Sequence, residues 1–252
     1  MTKTLIFAHR GDTEIAPENT LPAFESALKK GADGIELDVY ITADGKLVVH
    51  HDHYLGRTNE GSGFIGNFTL AELQGLDAGS WFDTAFSGER MPTLDQVLDL
   101  GRGGTRYQIE MKSSSTAIVH RVHETVVRSG LADAVDLTSF HVPLLVEAVR
   151  FKPRCAIGVF FADPLPEWMQ PELRERQIVD WMMAMDAQTA HVRPELLTSG
   201  FVDRMHSRGF AVHGANLDCE NQMRHAIAIG VDRFDTDRLE TALTIRAEQQ
   251  RW

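Results

Sequence analysis

At 252 residues, with 43% hydrophobic and 24% charged residues, the chain has ordinary globular composition and enough length for one barrel-sized unit or two small ones. A net charge of −11 with no run of five or six like charges argues against a nucleic-acid surface and against anionic membranes, so a phosphate bound here needs locally placed cations. No segment approaches the roughly 18 apolar residues of a membrane span, the opening apolar stretch is too short for a signal peptide, and Cys155 and Cys219 lie outside any zinc-ligand spacing; the expectation is a soluble cytoplasmic protein with two buried or half-buried free thiols.

In chain order, a strand-like run at 4–8 leads into His9-Arg10-Gly11, and Asn19-Thr20 precedes a helical pattern of Leu21, Phe24, Ala27 and Leu28. A run at 33–40 carries Glu36-Leu37-Asp38. Ala43-Asp44-Gly45 is a tight-turn signal, so the run at 46–50 reads as the return arm of a hairpin that brings His51 opposite Leu37 or Asp38. Residues 54–91 break the pattern; Phe64, Phe68, Leu70, Leu73, Trp81, Phe82 and Phe86 make this stretch too apolar for a loose loop, and it reads as an insertion capping the site.

Thr93 then precedes Leu94, Val97 and Leu98. Further strand runs fall at 105–111, 134–139, 155–161, 181–186, 210–215 and 232–235, with helical patterns at 115–127, 143–149, 194–206 and 220–229. Met182, Met183 and Met185 read as core packing. From Arg246 to Trp252 the chain reads either as a helical end packing on a second copy, which would make a homo-oligomer, or as a solvated tail. Setting the hairpin arm aside leaves eight βα repeats, and the expected fold is a single α/β domain over 1–252, a (β/α)8 TIM-type barrel with its insertion after the second-strand hairpin.

The chemistry is carried by polar residues set into apolar strands. Residues two apart on a strand share a face, so Glu36 with Asp38, and Glu110 with Lys112, project as pairs from otherwise buried elements. A metal ion accounts for three carboxylates arriving from two strands more simply than structural ion pairs do, and oxygen ligands suit Mg2+ or Ca2+ rather than zinc. Arg10 and Lys112 supply phosphate-binding charge, and His9 and His51 suit general acid and base work, without showing which does which. A zinc reading of His51-x-His53 with His141 and His213 leaves the carboxylates unexplained.

These motifs, together with Pro17-Glu18-Asn19-Thr20, Arg57-Thr58, Asp77-Ala78-Gly79-Ser80-Trp81-Phe82, Pro92-Thr93-Leu94, Ser139-Phe140, Asn216, Gly230-Val231-Asp232 and Thr236-Asp237, resemble the glycerophosphodiester phosphodiesterases end to end, and the cytoplasmic bacterial members in particular. The resemblance implies a phospholipase-C-like phosphodiesterase barrel that hydrolyses small glycerophosphodiesters, such as glycerophosphocholine or glycerophosphoethanolamine, to sn-glycerol 3-phosphate and an alcohol. It implies Glu36, Asp38 and Glu110 as ligands of Mg2+, Ca2+ or Mn2+, His9 and His51 as the acid/base pair, Arg10 and Lys112 on the phosphate, and Phe140, Asn216 and Trp81 as further substrate contacts. Two alternatives remain: a lyase forming a cyclic phosphate from lysophospholipid-like diesters, and a protein that binds such diesters without turnover. Two stretches depart from the family pattern: His213-Gly214-Ala215-Asn216 replaces Trp-Thr-Val-Asn, and Asp232-Arg233-Phe234-Asp235-Thr236-Asp237 replaces Asp-Gly-Ile-Ile-Thr-Asp. Both are expected at strand ends at or near the pocket, where they bear on the choice of alcohol.

Overall fold

Strand β1 (Leu5–His9) pairs in parallel with β2 (Gly34–Ile41) on one side and with β11 (Arg233–Thr236) on the other. That closes a barrel whose remaining parallel strands follow chain order: β6 (Arg106–Met111), β7 (Val135–Ser139), β8 (Ala156–Phe161), β9 (Thr189–Val192) and β10 (Ala211–Gly214). The ninth member, β3 (Leu47–Val49), runs antiparallel to the end of β2, with Val39 opposite Val49. The eight-stranded barrel and the hairpin arm are thus as expected. The structure is a computed structural model and describes residues 3–101, 103–161 and 169–249.

Outward strand residues such as Ile6, Ala8, Ile35, Leu37 and Ile109 pack under the surrounding helices, against Phe24 and Ala27 of α1 (Leu21–Lys30) and their counterparts further along the chain. These helices begin where the sequence supplies donors and acceptors for their ends. Before α3 (Leu94–Leu100), Thr93 and Gln96 exchange side-chain and backbone bonds in a capping box. Thr20 stands at the start of α1, but its hydroxyl donates to Pro17 O at 2.6 Å instead of capping the helix. Gly11, at φ +94°, lets the turn after β1 press on α1; a Cβ there would fall 2.7 Å from that of Ala23.

One strand lies elsewhere than the sequence reading put it. Residues 181–186 are not a strand: 181–184 end the helix α6 (Pro171–Ala184), and the strand follows at Thr189–Val192. Ile178, Met182 and Met185 are buried at spacings of four and three, a helical stripe that a short apolar run conceals. Met183, expected in the core, is 69% exposed. The other helices are α4 (Ala117–Arg128), α5 (Val142–Ala148), α7 (Ser199–His206), α8 (Glu220–Ala228) and α9 (Leu239–Gln249); Arg246 lies in the last of these, and Trp252 falls outside the described residues.

Residues 54–91 form the hairpin β4 (Tyr54–Leu55) with β5 (Gly63–Phe64), the short helix α2 (Leu70–Gln74) and turns. Leu55, Ile65, Leu73, Ala78 and Met91 make a small core of their own with Tyr40 and Val48 of the β2–β3 hairpin. Cys155 is buried and Cys219 is exposed, and neither is in a disulfide. Among the described residues, no helix is long and apolar enough to cross a membrane.

Candidate active site

The inward strand face is polar through much of its depth, where barrels of this type usually stack branched apolar residues. At its C-terminal end, Glu36 and Asp38 project from β2 and Glu110 from β6, with Asp38 in register with Glu110. One oxygen from each carboxylate lies within 4.8 Å of the others, and all three residues are buried, a group able to hold a metal ion. Burial and the charge of Asp38 raise the Glu36 carboxyl well above its ordinary range, and the same causes push Glu110 up to about 7. Asp38 is held low despite its burial, chiefly by Lys112 and Arg10. Lys112 Nζ lies 3.0 Å from Glu110 and 3.3 Å from Asp38, Arg10 Nε lies 3.5 Å from Asp38, and Asn19 donates to Asp38 at 2.9 Å. Glu36 has no Lys or Arg side chain so close among the described residues; it accepts the Arg10 backbone N–H at 3.2 Å and stands 3.9 Å from His9. With Asp38 and Glu110 it offers the oxygen ligands that a hard cation takes.

Each histidine of the expected pair is oriented by an aspartate. His9 Nδ1 lies 2.8 Å from Asp237, and His51 Nδ1 lies 2.6 Å from Asp52, so donation from Nδ1 leaves each Nε2 for other work. The hairpin delivers His51: His50 N–H donates to Asp38 O at 3.0 Å, which continues the β2–β3 ladder past Val39 and Val49 to the residue before His51. Burial works against a charged His9, but the bond to Asp237 and the charges of Glu36 and Asp235 outweigh it and raise the ring to about 10. At His51 burial prevails over Asp38, and the ring lies below its ordinary value. Asp52 is fixed in turn by Arg57 Nε at 2.5 Å; Arg57 grips both oxygens of Glu18 at 2.7 and 2.8 Å, and Glu18 reaches Arg10 at 3.0 Å.

A cavity of about 210 Å³ opens onto these groups. Its lining includes His9, Arg10, Glu36, His51, Glu110 and Lys112, with Phe140 and Asn216 on the rim. Phe140, 57% exposed, stacks on Phe160 at 4.5 Å. Trp81 does not line the cavity; its indole N–H donates to Ala78 O within the 54–91 stretch. His213 and Arg233 do not line the cavity but lie inside the barrel, where Arg233 is ion-paired to Asp136; of the two departing stretches, Ala215, Asn216 and Asp235 reach the lining. His53 bonds the Tyr40 hydroxyl at 2.8 Å, and among the described residues no histidine joins a metal-binding group.

The sequence reading gave no role to Asp237, Asp235, Gln108 or Phe160. Asp235 and Asp237 stand two apart at the end of β11, and Gln108 precedes Glu110 by two on β6, so strand alternation alone would have turned them inward beside their neighbours. Asp52 and Arg57 were within the recognised motifs, but their partnership spans loops and left no pattern in sequence.

The fold and site define an eight-stranded α/β barrel with a cluster of three carboxylates able to hold a metal ion beside two aspartate-bonded histidines. The profile of the Glycerophosphoryl diester phosphodiesterase family matches residues 9–241, and the chain belongs to that family of enzymes. It is 36% identical over 254 residues to a glycerophosphodiester phosphodiesterase of Caldanaerobacter subterraneus subsp. tengcongensis, covering 96% of this chain and 98% of the relative. The structure superposes on a glycerophosphodiester phosphodiesterase of Agrobacterium tumefaciens with a TM-score of 0.82 at 30% identity, covering 96% and 99% of the two chains. A phosphodiesterase of Oleispira antarctica, solved with its product sn-glycerol-3-phosphate, matches with a TM-score of 0.84 at 27% identity over 96% of each chain.

Proposed function

We propose that the protein hydrolyses glycerophosphodiesters to sn-glycerol 3-phosphate and an alcohol, using a divalent metal held by Glu36, Asp38 and Glu110 and the paired histidines His9 and His51. The observation that carries this reading is that two cations, two aspartate-oriented imidazoles and the carboxylate cluster all meet at one small cavity. Product binding in the Oleispira relative supports the same substrate class.

A Mg2+, Ca2+ or Mn2+ ion bound there would offset negative charge on the phosphoryl group. Arg10 and Lys112 bind and orient the phosphoryl oxygens; both are kept charged by the surrounding carboxylates despite burial. One histidine Nε2 accepts a proton from the attacking water, and the other delivers a proton to the departing alkoxide, so that one water is consumed and the alcohol leaves neutral. Asp237 and Asp52 hold the two rings in the tautomer this exchange needs. Phe140 and Asn216 lie where the alcohol portion would sit. We place the 54–91 stretch as a cap beside this mouth within one barrel domain, with Trp81 stiffening the cap.

The test is to strip the protein with chelator and follow glycerophosphocholine and glycerophosphoethanolamine by phosphorus NMR with and without added Mg2+, Ca2+ or Mn2+. Glycerol 3-phosphate released only with metal is the expected result. A cyclic phosphate as the end product makes the protein a lyase, and tight binding without product makes it a binding protein; either outcome overturns hydrolysis.

A further inference from the structure

Two residues that break the family pattern meet inside the barrel. His213 is fully buried on β10, and its Nε2 lies 2.6 Å from Oδ1 of Asp235 on the neighbouring strand β11, so the ring donates to the carboxylate. The imidazole is wedged in place, stacked at 4.2 Å on His191 and edge-on to Phe7 at 5.8 Å. His191 in turn is seated against Gly158, where a Cβ would fall 2.4 Å from its Nε2. Unlike His213, Asp235 reaches the active-site cavity while staying 3% exposed.

The second oxygen of Asp235 faces the catalytic end. Oδ2 accepts the backbone N–H of Asn216 at 3.2 Å. Asn216 sits at φ +52°, a left-handed conformation that asparagine tolerates better than most non-glycine residues and that the Asp235 carboxylate holds through this backbone bond. Its side-chain nitrogen contacts both ring nitrogens of His9, at 3.5 and 3.4 Å, while Asp237 holds His9 at Nδ1. A continuous path therefore leads from the barrel interior to an imidazole of the reaction: His213, Asp235, the Asn216 turn, His9.

We propose that His213 and Asp235 form a positioning pair, which holds the Asn216 turn and through it sets the orientation of His9 toward the substrate. The pair touches no substrate atom through His213; it acts through His9, and so rests on the acid/base reading of that residue. A buried pair that served packing alone would stabilise the barrel without any selective hold on Asn216.

The experiment compares wild type with His213→Leu, which cannot donate to Asp235, His213→Gln, which presents an amide N–H from a side chain of similar reach, and Asn216→Gly, which keeps the left-handed turn and its N–H but removes the side chain touching His9. Steady-state kcat and KM are measured on glycerophosphocholine, and hydrogen exchange of the Asn216 amide is measured without substrate. His213→Leu is expected to lower kcat on the order of 10–100-fold, the scale of a misplacement of about an ångström, with KM nearly unchanged. Exchange at Asn216 should quicken more than in the strand amides, His213→Gln should restore most of the loss, and Asn216→Gly should lower kcat together with any change in KM from the lost contact to the alcohol portion. Wild-type kcat in folded His213→Leu or in Asn216→Gly, or a loss in His213→Leu accompanied by uniformly faster exchange, overturns the pair's positioning role. Should His213→Leu not fold, Asn216→Gly and the exchange in His213→Gln decide. Absence of turnover by wild type would instead defeat the functional reading, and the exchange comparison would still show whether the pair holds Asn216.

Discussion

The two halves of the barrel interior handle charge in opposite ways. On the side of β1, β2 and β6, Glu36, Glu110, Arg10 and Lys112 face a cavity, and the carboxyls of Glu36 and Glu110 sit well above their ordinary values, raised by burial and by the charge of Asp38 beyond what the nearby cations offset. On the side of β7, β9 and β11, Arg233 is paired to Asp136 and also bonds Thr189, closed off from solvent. Incomplete neutralisation is tolerated where a ligand can complete it; elsewhere the protein supplies the counter-charge itself. Removing a group from the first half should therefore change chemistry more than folding, and removing one from the second half should do the reverse.

The sharpest break comes from the histidines. His9→Ala and His51→Ala should each lower kcat/KM by ~10²–10⁴-fold, the usual range for a general acid or base, while the thermal midpoint moves little. Using a diester with a p-nitrophenyl leaving group separates the roles: the variant whose deficit shrinks has lost the acid, because that alcohol needs no proton to leave. Equal, undiminished deficits on both substrates would undo the division of labour.

Next in size is the opposite case. Arg233→Met leaves Asp136 as a buried carboxylate with only Thr189, among the described residues, donating to it at 3.3 Å, and should destabilise the fold by about 3–5 kcal/mol, the range for breaking one partner out of a buried ion pair. Adding Asp136→Leu should recover most of that loss. Urea unfolding of the three proteins measures it, and kcat measured below the unfolding transition should stay near wild type. A loss of activity without a loss of stability would place Arg233 in the catalytic half after all.

This contrast also explains what was legible in the sequence. The half that faces the cavity is written in short motifs, because Glu36 with Asp38 are two apart on one strand, Glu110 with Lys112 are two apart at the end of another, and the hairpin carrying His51 is announced by its turn. Seven of the eight barrel strands follow from the same local runs, and the βα alternation carries the barrel. The interior half pairs residues far apart in the chain: His213 with Asp235, and Arg233 with Asp136, 97 residues away. Those partnerships exist only once the β10–β11 and β6–β7–β8–β9 registers are set, and their residue types read locally as departures from a pattern. The strand at Thr189–Val192 was overlooked because four residues carry little periodic signal beside the methionine-rich end of α6.

The smallest effect probes how the closed half excludes protons. His191 is fully buried, and neither ring nitrogen has a hydrogen-bond partner among the described residues. Burial, with His213 and Arg233 nearby, keeps it neutral far below the usual imidazole range. In the unfolded chain it takes up a proton near its ordinary value of about 6.5, so below that pH the unfolded state binds more protons than the folded one, and stability falls as pH drops. Each pH unit below about 6.5 should cost up to ~1.4 kcal/mol through this residue alone. Urea unfolding of wild type and His191→Leu across pH 5 to 7.5 isolates the contribution, since the other histidines are common to both proteins. The variant should lose stability less steeply toward acid, and parallel curves would mean that His191 is protonated inside the barrel, against the rule that the closed half admits charge only when it is paired.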